Sequence, residues 1–305
     1  MPQIIDGRQL ADSIRQEISA SAKKFYEQNK ALPKLAAVLV GDDPASHVYV
    51  RNKIKACEQV GLKSESHHLP ADTSESDLLS LLDRLNSADD VDGILLQLPL
   101  PAHISKIKML DRIAPEKDVD GLHPCNVGLL VQDRAELIAC TPKGVMEALK
   151  RYNVALSGKN VVVIGRSDLV GKPLAFLLLH QNATVSVCHS KTHDLQKLAG
   201  GADVLIAAMG KPGFVTADFV REGAVLVDVG TTVLKSDAEV MRLFGEDSKK
   251  RKDFSEGKTV LAGDIHPAAY ARSSMYTPVP GGIGPLTITM LLQNTLRAAE
   301  LRRSR

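Results

Sequence analysis

Tyr49 and Lys53 stand four residues apart, a spacing that sets a phenol and an amine on one face of a helix. A lysine amine can act as general acid or base when its surroundings bring its pKa well below the ordinary value of about 10.4. Taken alone, the pair is also what a solvated helix face displays. Gln97 is the polar residue of ILLQL, a run that reads as a strand, and it sits at the carboxyl end, where open α/β sheets hold their ligands. Asp118 and Asp120 fall in an aperiodic stretch, Ala114 to Gly128 (APEKDVDGLHPCNVG), which reads as a long functional loop. A second group suits a different chemistry. Gly165 ends an aliphatic strand and Gly171 and Pro173 open an apolar helix, with Arg166, Ser167, Asp168, Leu169 and Val170 between them. Strand, glycine turn and helix start are the geometry in which backbone N–H groups and the helix dipole hold a pyrophosphate.

The glycine spacing departs from GxGxxG, because Ser167 stands at the second glycine and the last glycine falls one place late. As a bare pattern it is also that of an ordinary strand-to-helix turn. The next strand sharpens the reading. A site built for NAD places an acid about 20 residues after the first glycine to bind the ribose 2′-hydroxyl. Here His189, Ser190, Lys191 and Thr192 occupy that region, so hydroxyls and cations, with Arg166, stand ready for a 2′-phosphate. NADP is expected over NAD.

The elements that position these residues follow from periodicity. Leu10 to Lys30 reads as a helix, Lys34 to Gly41 as a buried strand, Ala45 to Val60 as a helix that stops at Gly61, and Ser76 to Asn86 as another helix. Gly93 to Leu98 is a second strand, broken at Pro99 and Pro101. Thr141 and Pro142 begin a helix that ends near Tyr152, and a second sheet begins at Lys159. Its strands are Asn160 to Gly165, Ala183 to Cys188, Ala202 to Ala208, Ala224 to Gly230 and Thr259 to Ala262, with a helix at Leu174 to Leu179. Alternation of strand and helix predicts parallel sheets in an α/β protein.

Composition bounds the rest. A chain of 305 residues is too long for one ordinary core and suits two domains. Hydrophobic residues make up 44%, aromatic residues 4%, and Trp is absent, which fits an aliphatic parallel-sheet protein and excludes a disordered or fibrous one. The net charge is +2, and its basic runs, Lys249 to Lys252 and Arg302, Arg303 and Arg305, read as solvated loop and tail rather than a nucleic-acid surface. Cys57, Cys125, Cys140 and Cys188 form no CxxC pair, so no metal site is read, and free thiols in a reducing cytoplasm are expected. No apolar stretch reaches the roughly 18 residues of a membrane span.

Five stretches together are specific: YVRNK (Tyr49 to Lys53), DGILLQLPLP (Asp92 to Pro101), KDVDGLHP (Lys117 to Pro124), GRSDLVGKP (Gly165 to Pro173) and TPVPGGIGP (Thr277 to Pro285). Through them the chain closely resembles the bifunctional methylenetetrahydrofolate dehydrogenase/methenyltetrahydrofolate cyclohydrolase family over nearly its whole length. The resemblance implies an N-terminal α/β catalytic domain, a C-terminal Rossmann-like parallel-sheet NADP domain and a cleft between them. The first would span residues 1–140, completed by the C-terminal helix within 278–305, and the second 141–277. It implies Lys53 as the catalytic lysine, Tyr49 packed on the folate ring system, Gln97 assisting Lys53, and Asp120 hydrogen-bonded to the pterin. Leu98, Pro278 and Gly282 would line the folate side, and Gly165, Arg166, Ser167, Ser190 and Thr231 the NADP side. It further implies tetrahydrofolate derivatives as substrates, a place in one-carbon metabolism and purine biosynthesis, and a homodimer.

Two departures stand out. The family commonly continues DVG with Ile-Asn, whereas Thr231 and Thr232 follow Gly230 here, which alters a nicotinamide-side contact. The charged segment Lys235 to Gly257 is longer than in compact bacterial members and reads as a surface insertion with a short helix around Ala238 to Phe244.

The chemistry is consistent with those residues. Oxidation of 5,10-methylenetetrahydrofolate passes a hydride to a nicotinamide and requires alignment above all. Hydrolysis of the methenyl cation needs an activated water and a proton for the departing ring nitrogen, which a lysine can supply. Competing readings are a relative that keeps only the dehydrogenase, a dinucleotide-sensing module without catalysis, and a shikimate-type dehydrogenase, which would leave PVPGGIGP unexplained.

Overall fold

The computed structural model describes residues 1–303, so Arg305 of the terminal basic run lies outside the described residues. Two compact units divide the chain. One comprises Ala11–Cys140 with the segment from Thr287 onward, and the other Met1–Leu10 with Thr141–Leu286.

In the first unit, β2 (Lys34–Val40) lies between β3 (Lys63–Leu69) and β4 (Gly93–Leu96) in a parallel sheet of order β3-β2-β4. The run KLAAVLV is aliphatic on both faces because both are covered. Ala36, Val38 and Val40 pack with Leu78, Leu82 and Leu85 of α3 (Glu75–Ser87) and Met109 of α4 (Lys106–Arg112). Ile14, Ile18, Ala22 and Phe25 bury one stripe of α1 (Gly7–Asn29) at helical spacing. Next comes α2 (Pro44–Gln59), whose first turn is fixed by Asp43, the N-cap, which accepts the Ser46 N–H, and by Pro44 within that turn.

Three expectations change here, the third where the chain passes into the other unit. β3 was not legible, because KSESHHL is a polar edge strand whose side chains are mostly exposed or half-buried. The loop expected over Ala114 to Gly128 contains a 3₁₀ turn, Pro115–Lys117, and ends in α5 (Pro124–Val131), capped by the His123 ring at the Cys125 N–H. The helix expected from Thr141 is α6 (Cys140–Arg151), one residue earlier, with Pro142 inside the first turn where no N–H is required.

The second unit is a six-stranded sheet in which every described pairing is parallel, of order β1-β11-β8-β7-β5-β6. Its strands are β1 (Gln3–Ile4), β5 (Asn160–Ile164), β6 (Thr184–Cys188), β7 (Val204–Ala207), β8 (Val225–Asp228) and β11 (Met275–Tyr276). α7 (Gly171–His180) links β5 to β6, and α8 (Leu195–Ala199) links β6 to β7. From β6 the chain crosses β5 to reach β7, so the order reverses between β5 and β7, the crevice where such sheets take ligands.

The division of the chain differs from the expected ranges at two places. Residues 1–10 and 278–286 belong to the second unit, because Gln3 and Ile4 pair with Met275 and Tyr276, and Gly7 lies against the carbonyls of Gly281 and Gly282. The strand expected at Thr259 to Ala262 lies outside the large sheet. Instead β10 (Leu261–Ala262) pairs antiparallel with β9 (Thr232–Val233). Between them run α9 (Asp237–Phe244), with its Ser236/Glu239 capping box, and α10 (Lys249–Ser255). They close a small core of Leu234, Val240, Leu243, Val260 and Ala262, with Phe244 and Phe254 beside it. The basic run at Lys249 is therefore helix rather than loop, since Lys250 covers the Phe244 ring and Arg251 pairs with Asp237. α11 (Ile283–Arg303) completes the chain.

Candidate active site

The first unit gathers Tyr49, Lys53, Gln97 and Asp120. α2 leaves the carboxyl end of β2 and carries Tyr49, half exposed, and Lys53, partly buried. Gln97 lies just past β4, where its N–H donates to the Val38 carbonyl at 2.8 Å and extends the ladder. Lys53 Nζ donates to Gln97 Oε1 at 3.0 Å, and Gln97 Nε2 donates to the Leu98 carbonyl at 2.7 Å. The amide is thus oriented at both ends, with its oxygen turned to the amine. Leu98 precedes a cis proline, Pro99.

The two loop aspartates separate by role. Asp118 is buried, and its Oδ2 accepts from the His123 N–H at 2.8 Å and from Asn126 Nδ2 at 2.9 Å, so it organises the loop itself. Asp120 remains partly exposed, with the Cys140 thiol 3.7 Å from its Oδ1. Burial pushes the Asp120 carboxyl above the ordinary carboxylate range, and the Lys53 charge pulls partly against it. A carboxylate and an amine therefore act on each other at the carboxyl edge of a parallel sheet.

Two residues that sequence reading passed over hold this loop. Lys117 is buried and donates to the carbonyls of Leu85 and Ala88 at 3.0 and 2.7 Å, and burial lowers its amine to about 8. Asn294 of α11 donates Nδ2 to the carbonyls of Val119 and Ile138 at 2.8 and 2.7 Å. Nothing in the spacing of a lysine or an asparagine announces a bond to a distant carbonyl, although KDVDG does contain Lys117.

In the second unit, Gly165 lies at the end of β5 with φ +134°, and a Cβ there would strike the Ala208 carbonyl. A Cβ on Gly171 would strike the Gly165 carbonyl. Both glycines are therefore required by close approach, as in a phosphate-binding turn. α7 begins without a side-chain cap, and with the Lys172 N–H bonded to the Ser167 carbonyl at 3.1 Å and none on Pro173, the Gly171 N–H and the helix dipole are what its start offers an anion. Arg166, Ser167, Ser190, Lys191 and Thr231 are exposed. Ser167 Oγ accepts the Val170 N–H at 3.2 Å and so shapes the turn. An uncapped helix start, a cradle that side chains would fill, and cationic and hydroxyl groups without an acid at the ribose position fit a 2′-phosphorylated dinucleotide.

Asp228 and Asp264 were not singled out by the sequence. Asp264 accepts N–H groups from Met209 (2.6 Å), Gly210 (3.0 Å) and Lys211 (2.6 Å), fixing the turn at the end of β7. Asp228 accepts those of Gly230 (3.0 Å), Asp264 (2.9 Å) and Ile265 (2.8 Å). Each carboxylate occupies the place of a Cβ on a glycine of the other's loop, Gly263 and Gly230 respectively. Pro278 and Gly282 border the cis Val279–Pro280 bond, and a Cβ on Gly282 would crowd the Pro278 carbonyl at 2.6 Å.

Comparison with known proteins matches both units. The family model for the tetrahydrofolate dehydrogenase/cyclohydrolase catalytic domain matches residues 5–120, and that for the NAD(P)-binding domain of the same family matches residues 139–303. A Koribacter versatilis protein named bifunctional protein FolD is 49% identical over 300 residues, covering 98% of this chain and 97% of its own length. Its namesake from Geotalea uraniireducens is 50% identical over 303 residues, covering 99% and 100%. Among solved structures, the bifunctional FolD dehydrogenase/cyclohydrolase of Campylobacter jejuni is 43% identical, with a TM-score of 0.89 over 99% of this chain and 100% of that one. The Trypanosoma brucei dehydrogenase-cyclohydrolase, complexed with NADP cofactor and an inhibitor, is 36% identical, with a TM-score of 0.89 over 100% of both chains.

Proposed function

Since the chain belongs to the tetrahydrofolate dehydrogenase/cyclohydrolase family, we propose that Lys53, oriented by Gln97, performs the proton transfers of its hydrolytic reaction. The protein oxidises 5,10-methylenetetrahydrofolate to 5,10-methenyltetrahydrofolate with NADP and hydrolyses the methenyl form to 10-formyltetrahydrofolate. When bound, NADP supplies the hydride acceptor. Gly165, Arg166, Ser167 and Ser190 are the proposed holding residues, with the Gly171 N–H and the positive end of α7 toward the pyrophosphate and Arg166 on the 2′-phosphate. Thr231 is proposed at the nicotinamide side.

The carrying observation is the 3.0 Å bond from Lys53 Nζ to Gln97 Oε1, with Asp120 close enough to feel the lysine charge. In oxidation the substrate carbon loses a hydride and the cation remains, so Lys53, Tyr49 and Asp120 act by holding the folate. In hydrolysis a water must lose a proton as it attacks that carbon, and the departing ring nitrogen must gain one. Lys53 Nζ is the titratable group proposed for both transfers. Tyr49 offers an exposed ring face for stacking, Asp120 an acceptor for the pterin, and Leu98 apolar wall.

Folate chemistry is assigned to the first unit and NADP to the second. A homodimer is proposed by family resemblance, and edge strand β6, paired with β5 alone and bearing half-exposed Val187, is a surface suited to it. The cytoplasm is the proposed compartment, supported by four cysteines that all remain thiols. No helix among the described residues is long and apolar enough to cross a membrane. The formyl product places the protein in one-carbon supply, with purine biosynthesis the proposed consumer.

One absorbance experiment tests the whole. Methylenetetrahydrofolate with NADP should yield NADPH, and added methenyltetrahydrofolate should lose its absorbance on the same preparation. NADPH formation without methenyl loss would reduce the chain to a dehydrogenase, and the absence of both would leave a non-catalytic dinucleotide binder.

A further inference from the structure

We infer that Asp42, His47 and His68 form a site for one divalent transition metal of the zinc class, tying the start of α2 to β3. The three residues come from separate segments of the first unit: the turn after β2, the first turn of α2 and the end of β3. Asp42 Oδ1 lies 3.2 Å from His68 Nε2 and 3.7 Å from His47 Nε2. All three potential ligand atoms fall within 4.8 Å of one another, and the two rings meet nearly edge-on, at 80° with centroids 4.7 Å apart.

Around a tetrahedral zinc with bonds of about 2.0–2.1 Å, neighbouring ligand atoms stand roughly 3.4 Å apart. The two separations from Asp42 bracket that value, and the two imidazole nitrogens lie within 4.8 Å of each other. The Gly41 carbonyl, 3.1 Å from the same His68 nitrogen, is a further oxygen at the cluster's edge. Its place follows from Gly41, whose φ of +90° turns the chain back while its N–H donates to the Leu69 carbonyl at 2.9 Å. Two imidazoles and one carboxylate select zinc, cobalt or nickel over magnesium or calcium, which demand oxygen cages. The residues are partly exposed, leaving room for water as the remaining ligand.

The positive end of α2 opposes a cation. Asp43 offsets it, because its carboxylate caps that end, accepting the Ser46 N–H at 2.8 Å and the Ser46 hydroxyl at 2.7 Å. With Asp42, the turn sets two carboxyl groups beside two imidazoles. The cluster escaped the sequence because its members lie in different elements and no cysteine is involved. None of the three belongs to the proposed catalytic set, but Tyr49 and Lys53 ride on the same helix. A metal here would therefore set how firmly the helix bearing the lysine is anchored.

The full chain, stripped of metal, is titrated with Zn²⁺ by calorimetry and with Co²⁺ by visible absorption. One equivalent is expected to bind, with a Co²⁺ spectrum of low coordination number. His47→Ala and His68→Ala should each weaken binding by at least about tenfold, and Asp42→Asn by less, since an oxygen ligand remains. All three side chains are partly or well exposed, so the variants should fold, as circular dichroism would verify. A hundredfold excess of Zn²⁺ over its dissociation constant should raise the melting temperature of the unsubstituted chain by about 5 °C and that of His47→Ala/His68→Ala not at all. Failure of the unsubstituted chain to bind, equal binding by the folded double variant, or equal displacement by Mg²⁺ would each overturn the inference.

Discussion

Lys53 and Arg166 make separable demands on two ligands. Lys53→Met keeps the length and apolar stem of the side chain but removes the amine that bonds to Gln97. Cyclohydrolase activity should fall by at least about two orders of magnitude, since a placed group moving a proton contributes 10² to 10⁴ in rate, and the dehydrogenase should fall less. Both reactions are followed on one folded preparation, and a variant that lost only the dehydrogenase would refute the role given to Lys53. Arg166 stands exposed at the glycine turn, with no acid in the region where NAD is normally held. Arg166→Ala should weaken NADP binding by about 1.5 to 3 kcal/mol and NAD binding much less, as loss of one charge-assisted contact requires. Fluorescence titration with each dinucleotide decides it, and an equal loss would show that Arg166 does not read the 2′-phosphate.

At the scale of elements, the KDVDG loop depends on α11 for its shape. Asn294→Ala removes the amide that bonds the carbonyls of Val119 and Ile138, leaving a buried acceptor unsatisfied. A loss of about 2–3 kcal/mol in urea unfolding is expected, together with a raised KM for folate in both reactions, since Asp120 follows Val119 directly. Asn294→Asp should not rescue it, because a carboxylate would face two carbonyls. Aliphatic strands and the helices between them could be read from the sequence because burial on both faces leaves continuous runs such as NVVVI. Helical spacing and strand topology could place Lys53 on a helix face and Gln97 at a strand end, but only the family resemblance singled them out, since a solvated helix face displays the same pattern. The polar edge strand β3 and the two-residue strands β1 and β11 were not, because neither hydrophobic period nor length marks them. Asp228 and Asp264 were hidden for another reason. Their work is to accept distant backbone N–H groups, 36 residues away for Asp228 and 53 to 55 for Asp264, and such bonds leave no motif.

Across the whole molecule, burial sorts four chemically identical thiols. Cys57, Cys140 and Cys188 are buried and Cys125 is exposed. Desolvation raises the Cys57 thiol to about 12 and pushes that of Cys188 up as well, which suppresses the reactive thiolate. A disulfide reagent at neutral pH should therefore titrate one fast thiol in the native protein and four after denaturation. A second fast thiol would reveal opening of one unit on the timescale of the assay. The interlocked pair Asp228 and Asp264 has a different reach. Gly230 and Gly263, where the chain leaves for β9 and returns from β10, each abut the other end's carboxylate, so the 231–262 excursion departs and returns through one gate. A polymer whose ends are already joined incurs almost no closure entropy when its contour length changes. That segment is a cassette: it can be shortened, exchanged or used to carry a foreign insert while the sheet remains intact. Its ties to the rest of the unit include Leu243, which fills the space above Gly213, Arg242, which donates to the Pro212 carbonyl at 3.0 Å, and Thr231 at its start, and these would need to be kept.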